Sequence, residues 1–151
     1  MARAKYQVLI LPYQRTGNRI RYCIFKRSDL PFWQFIAGGG EDADRSPLAA
    51  AMREAFEEAG IPESEKYAVL ETRCSISAEC FPAARRLWGA ECLVIPEYAF
   101  AVEVPGGAVR LSHEHREFEW ADYNTALQKL RYDSNKTALW ELDQKIKMGL
   151  I

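Results

Sequence analysis

Apolar residues along this chain follow two rhythms, and the change from one to the other marks out its elements. From Tyr6 to Tyr13 and from Arg19 to Phe25 the residues are mostly β-branched or aromatic. The stretch between them, Gln14-Arg15-Thr16-Gly17-Asn18, carries turn residues, so the pair predicts a β-hairpin. Phe32 to Ala37 predicts another short strand, followed by the glycine run Gly38-Gly39-Gly40. The rhythm then turns helical, because Leu48, Ala51, Met52 and Ala55 recur at helical spacing and predict a buried stripe. Both ends of this helix are signalled. Ser46 is a capping residue, Pro47 is favoured at the first helical position, Gly60 suits a left-handed ending and Pro62 blocks continuation, which places the helix from Pro47 to Ala59. Beyond it, Tyr67 to Ser77, Leu87 to Ile95, Tyr98 to Val104 and Phe118 to Ala121 predict strands, and Tyr123 to Leu130 and Ser134 to Met148 predict two late helices. Strands around a central helix, with helices added late, predict an α/β or α+β sandwich without internal repeats.

Length and composition narrow the picture. A chain of 151 residues, 48% hydrophobic and 27% charged, has the size of one ordinary domain spanning 1–151. Its formal net charge of −1 lacks the basic excess of general nucleic-acid binders, which argues against a duplex partner. No apolar stretch approaches the roughly 20 residues of a membrane span. The segment from Tyr6 to Tyr13 is too short and interrupted for the apolar core of a signal peptide, so a cytoplasmic protein with no membrane partner is expected. The four cysteines, Cys23, Cys74, Cys80 and Cys92, form no Cys-x-x-Cys pair and lie in apolar or strand-like surroundings, which predicts buried structural thiols. His113 and His115 stand far from any paired cysteines, which excludes a zinc site of the usual spacing. The apolar run Leu93 to Ile95 suits either a core or a subunit interface, so both a monomer and a homodimer are compatible with the sequence.

The helix carries the chemistry. Glu54, Glu57 and Glu58 stand at i, i+3 and i+4 and crowd one face. Each like-charged pair at such spacing destabilises a helix by about 0.2–0.5 kcal/mol, and the last turn is where the helix dipole disfavours anions. A compensating cation is therefore expected there. Mg2+ takes oxygen ligands and keeps waters and substrate phosphates in its shell, which fits an acidic face open to solvent, with Mn2+ as a substitute.

The segment from Gly39 to Ile61 resembles the Nudix box, Gly-x5-Glu-x7-Arg-Glu-U-x-Glu-Glu-x-Gly-U with U apolar. Gly39 matches the first glycine, and Arg53-Glu54-Ala55-x-Glu57-Glu58-x-Gly60-Ile61 fits every later position. The first glutamate is replaced by Arg45, with Asp42 and Asp44 just ahead of it. The resemblance implies an α/β/α sandwich with a mixed central sheet and a hydrolase that cleaves a nucleoside diphosphate linked to another group. It also implies that Glu54, Glu57, Glu58 and the backbone of Gly38 hold Mg2+, and that Arg53 orients a helix glutamate. Arg45 puts the bracing of the loop into the helix in question.

Leu111-Ser112-His113-Glu114-His115, ahead of Trp120, resembles segments of Nudix enzymes acting on dinucleoside polyphosphates and on pterin or deoxyadenosine triphosphates. That likeness makes Glu114 the further metal ligand, with Glu117 in reserve. The general base stays open between Glu114 and a box glutamate. Phe32 to Gly40, together with Asp133-Ser134-Asn135-Lys136, is similar to the dihydroneopterin triphosphate and dATP pyrophosphohydrolase branch. That resemblance implies substrate contacts at Lys26, Arg27, Trp33, Ala37 and Tyr132. It makes a purine-like or pterin triphosphate the first choice of substrate, with diadenosine tetraphosphate hydrolysis, or a Nudix-fold nucleotide-binding module without catalysis, as the alternatives.

Overall fold

The central strand β1 (Arg3–Thr16) has neighbours along both edges. In the computed structural model, which describes residues 2–151, its first part pairs antiparallel with β4 (Ile36–Glu41) and its last residues pair with β2 (Arg19–Arg27). Its other edge pairs in parallel with β6 (Val94–Glu103), which continues antiparallel into β5 (Tyr67–Ser77). β2 carries β3 (Trp33–Gln34) and β7 (His115–Ala121), so one mixed sheet holds all seven strands found among the described residues.

A strand buried on both faces reads as a nearly continuous apolar run, which explains the segment from Val8 to Tyr13. Leu9, Leu11 and Tyr13 face α3 (Tyr123–Lys129) and α4 (Asp133–Lys147), where Ala126, Leu139 and Leu142 meet them. Val8 and Ile10 face α1 (Pro47–Ala59) on the opposite side. The result is the expected α/β/α sandwich with a mixed sheet. No helix among the described residues is long and apolar enough to cross a membrane.

Helix α1 begins and ends at the expected residues. Ser46 Oγ accepts from the Ala49 N–H at 3.1 Å, and Gly60, at φ 68°, donates to Phe56 O while Ile61 donates to Ala55 O. Its buried stripe differs in detail from expectation. Ala50, Ala51, Ala55 and Ala59 are fully buried, whereas Met52 and Leu48 are only partly so. An alanine-faced helix comes closer to a sheet than one faced with leucine.

Three further expectations are corrected. The glycine run does not follow a strand; it lies inside β4, with Gly38 opposite Val8 and Gly39 opposite Gln7. The segment from Leu87 to Ile95 is not a strand: Pro82 opens the short helix α2 (Pro82–Trp88), Gly89 ends it at φ 96°, and extended backbone resumes only at Val94. Leu87 and Leu93, which suggested a strand, are 74% and 64% exposed. Of the four cysteines, all free thiols, only Cys23 is fully buried; Cys80 is exposed.

Candidate active site

The site forms where α1 lies against the glycines of β4. A Cβ on Gly38 would overlap the carboxyl group of Glu54, so this contact exists only with glycine at that position. The closeness strips water from Glu54. Burial pushes its pKa up to about 7, Arg53 opposes the rise, and Glu57 and Glu58 add to it.

Arg53 joins the loop to the helix. Its Nε and Nη2 donate to Asp44 Oδ1 and Oδ2 at 3.1 and 2.9 Å, Nη2 also reaches Gly39 O at 3.0 Å, and Nη1 donates to Glu54 and Glu57 at 3.0 and 3.2 Å. Arg45 is exposed and takes no part. The neighbouring Asp44 supplies the carboxylate in its place, and its second oxygen also accepts the Glu41 N–H at 2.9 Å.

Glu58, 6% exposed, accepts from Ser112 Oγ at 2.5 Å, and the Ser112 N–H donates to Glu58 O at 3.1 Å. These bonds fasten the loop before β7 to the end of α1 and bring Glu114 beside Glu58. Burial raises the Glu58 pKa, and the neighbouring Glu114 charge raises it further. Glu117 points elsewhere, pairing with Lys26 at 3.7 Å. His115 is buried, its Nδ1 without a hydrogen-bond partner among the described residues and 3.7 Å from Glu58, and burial lowers its pKa, so it is neutral at pH 7. Among the described residues no three acidic or imidazole side chains are drawn into one coordination sphere, and Glu57 is turned outward onto Arg53. The donor chemistry still fits a hard cation: Glu54, Glu58 and Glu114 offer carboxylate oxygens beside backbone that glycine leaves open, and Mg2+ completes its shell with water and phosphate oxygens.

This acidic face opens into a cavity of about 760 Å³ on the side of the sheet that α4 covers, a size suited to a nucleotide-sized ligand. Of the expected substrate contacts, Arg27, Ala37 and Tyr132 line it, with Arg27 held by Asp29 at 2.7 and 2.6 Å. Lys26 and Trp33 do not. Lys26 turns to Glu117, and the Trp33 ring packs on the α4 side of the core with Lys129 5.2 Å from its centre.

Other lining residues were not anticipated from sequence. Arg3 stands over the Phe81 ring at 4.2 Å, receives the Trp88 indole N–H on its backbone carbonyl at 2.8 Å, and lies within electrostatic reach of Glu54 and Glu114. Gln7, Gln34, Glu97 and Asn135 form much of the polar floor. One signal was available in the sequence: Glu97 is the lone acid in the otherwise apolar run from Leu93 to Val102.

Comparison with known proteins agrees with this geometry. The NUDIX domain model matches residues 5–140. A dihydroneopterin triphosphate diphosphatase from Haemophilus influenzae is 30% identical over 134 residues, covering 87% of this chain and 83% of the relative. The crystal structure of a Nudix hydrolase from Listeria monocytogenes superposes with a TM-score of 0.86 at 34% identity over 97% of both chains. The dihydroneopterin triphosphate pyrophosphohydrolase of E. coli superposes with a TM-score of 0.74 at 22% identity, covering 95% of this chain and 99% of that one. With its box helix, its glycine-backed carboxylates and these matches, the chain belongs to the Nudix family of hydrolases acting on diphosphate bonds.

Proposed function

We propose that the protein is a Mg2+-dependent pyrophosphohydrolase of a pterin or purine nucleoside triphosphate, with dihydroneopterin triphosphate or dATP cut to the monophosphate and pyrophosphate. The observation that carries this reading is the contact of Glu54 with Gly38 at the mouth of a nucleotide-sized cavity, with Glu58 and Glu114 alongside. The dihydroneopterin triphosphate diphosphatase among its relatives supports the substrate class.

Mg2+, when bound, would supply Lewis-acid and charge-neutralising chemistry for attack of water on the diphosphate. Glu54, Glu58 and Glu114 would hold the ion, and Arg53 keeps Glu54 oriented while tying it to the glycine strand. Arg3, whose buried Nε has no hydrogen-bond partner among the described residues, would donate to phosphate oxygens.

A magnesium-dependent assay for pyrophosphate release over dihydroneopterin triphosphate, dATP, dGTP, dCTP and diadenosine tetraphosphate tests this. We expect turnover of a monomeric triphosphate and a loss of at least about 100-fold in Glu54→Gln. Nucleotide binding without turnover of any of them would make the protein a binding module instead.

A further inference from the structure

The register of the sheet places one row of residues along the cavity wall. Gln7 in β1 stands opposite Gly39 in β4 and Glu97 in β6, and Glu97 stands opposite Cys74 in β5. Residues in register point to the same face of a sheet, and all four line the cavity. Strands lie about 4.8 Å apart, so Glu97 is roughly 10 Å from the glycine beside the acidic face. Phosphates gathered at the glycines would leave a substrate's ring near Glu97.

Glu97 is a carboxylate only 6% exposed, and both of its hydrogen bonds come from neutral groups. Gln7 Nε2 donates to Oε2 at 2.8 Å, and the Cys74 thiol donates to Oε1 at 3.4 Å. Both donors are fixed in that role. Arg3 Nη2 donates to Gln7 Oε1 at 3.1 Å and so turns the amide nitrogen toward Glu97. Burial, with Glu97 nearby, pushes the Cys74 pKa up to about 11, so its proton stays on at neutral pH. An ionised carboxylate accepts about four hydrogen bonds, and here each oxygen has one taken by the wall. One acceptor site per oxygen is left for the cavity.

We propose that Glu97 reads the substrate's ring, accepting two parallel hydrogen bonds from the ring N–H and exocyclic amino group of a 2-amino-4-oxo ring such as guanine or a pterin, and thereby disfavours adenine. Adenine presents a bare nitrogen beside its amino group, which would set a lone pair against a carboxylate oxygen. Cytosine shares that fault, and thymine has no amino group. The inference rests on the cavity being the triphosphate site and narrows the substrate class proposed for it.

The test separates ring recognition from hydrolysis. Equilibrium binding of dGMP and dAMP without metal reads the ring alone, and kcat/KM for dihydroneopterin triphosphate, dGTP and dATP with Mg2+ reads the reaction. We expect the wild-type protein to prefer dGMP over dAMP by at least about 10-fold. In Glu97→Gln, whose amide offers a donor beside an acceptor and so matches adenine, that preference should shrink to parity or reverse. Equal affinities in the wild type, no measurable binding of either nucleotide, or an unchanged ratio in a folded Glu97→Gln protein would overturn the assignment. The wild-type ratio decides the matter even if the variant does not fold. Hydrolysis without ring preference would remove Glu97's role and leave the enzyme reading intact; ring preference without hydrolysis would do the reverse.

Discussion

Arg45 occupies the position where the box pattern has a glutamate, yet Arg53 is still gripped by two carboxylate oxygens, because Asp44 turns inward one residue earlier. Arg53 keeps the Asp44 carboxyl below its usual pKa, so the pair contributes stability above the ordinary Asp range and loses it as pH falls through the lowered value. Residues that orient metal ligands are commonly worth 10- to 100-fold in metal affinity. Asp44→Ala should therefore weaken Mg2+ binding by about that factor, measured by calorimetry, while Arg45→Glu stays within about twofold of wild type. A normal Mg2+ affinity in Asp44→Ala would show that the brace is idle. The box was legible in the sequence because its residues are neighbours on one loop and helix. Gln7 and Glu97 were not, because they meet only through strand register across 90 positions, and a single sequence does not disclose register.

Between elements, the proposed site rests on how near α1 comes to β4. The alanine stripe and the bare Gly38 backbone let the helix settle until the Glu54 carboxyl touches the strand. Gly38→Ala would drive a methyl group into that carboxyl, and either Glu54 changes rotamer or the helix lifts. Overpacking of this kind costs about 1–3 kcal/mol, which a folded chain of this size survives, whereas displacing a metal ligand by an ångström is worth about 100-fold in rate. We therefore expect Gly38→Ala to remain folded by circular dichroism with kcat/KM down about 100-fold or more. Near-wild-type turnover would show that the contact is incidental. Local signals located α1 because cap, proline and terminal glycine agree. They failed from Leu87 to Ile95, where apolar residues sit on a short helix and loop that fold back over Arg3, Trp88 holding its carbonyl and Phe81 its guanidinium. Leu87 and Leu93 stay exposed there, and of that stretch Trp88 makes the contact with Arg3, so the apolar run marks no strand.

For the molecule as a whole, the two faces of the sheet divide the labour: the α4 side holds the cavity, the α1 side holds the carboxylates, and the glycines of β4 connect them. This arrangement buries Glu54 with Arg53 as its ion-pair partner among the described residues and Arg3 within electrostatic reach, and on the proposed site proton and metal would compete for it. Burial pushes its pKa up to about 7 from an ordinary 4.5. Between those values the folded state holds a proton that the unfolded chain has released, so this group's contribution to stability falls as pH rises through the window. Buried His115, with its lowered pKa, acts in the opposite sense, losing stability as pH falls below 6.5. Comparison with Glu54→Gln separates the two, since only the wild type carries the Glu54 term. With EDTA present, the Tm of the wild type relative to Glu54→Gln should decline from pH 5 to pH 8. On the proposed site, saturating Mg2+ would bind only the deprotonated carboxylate of the folded state, so it should raise the wild-type Tm more at pH 8 than at pH 5.5. A magnesium-induced shift that is the same at both pH values, or that persists fully in Glu54→Gln, would remove Glu54 from the metal site and leave Glu58 and Glu114 to hold the ion.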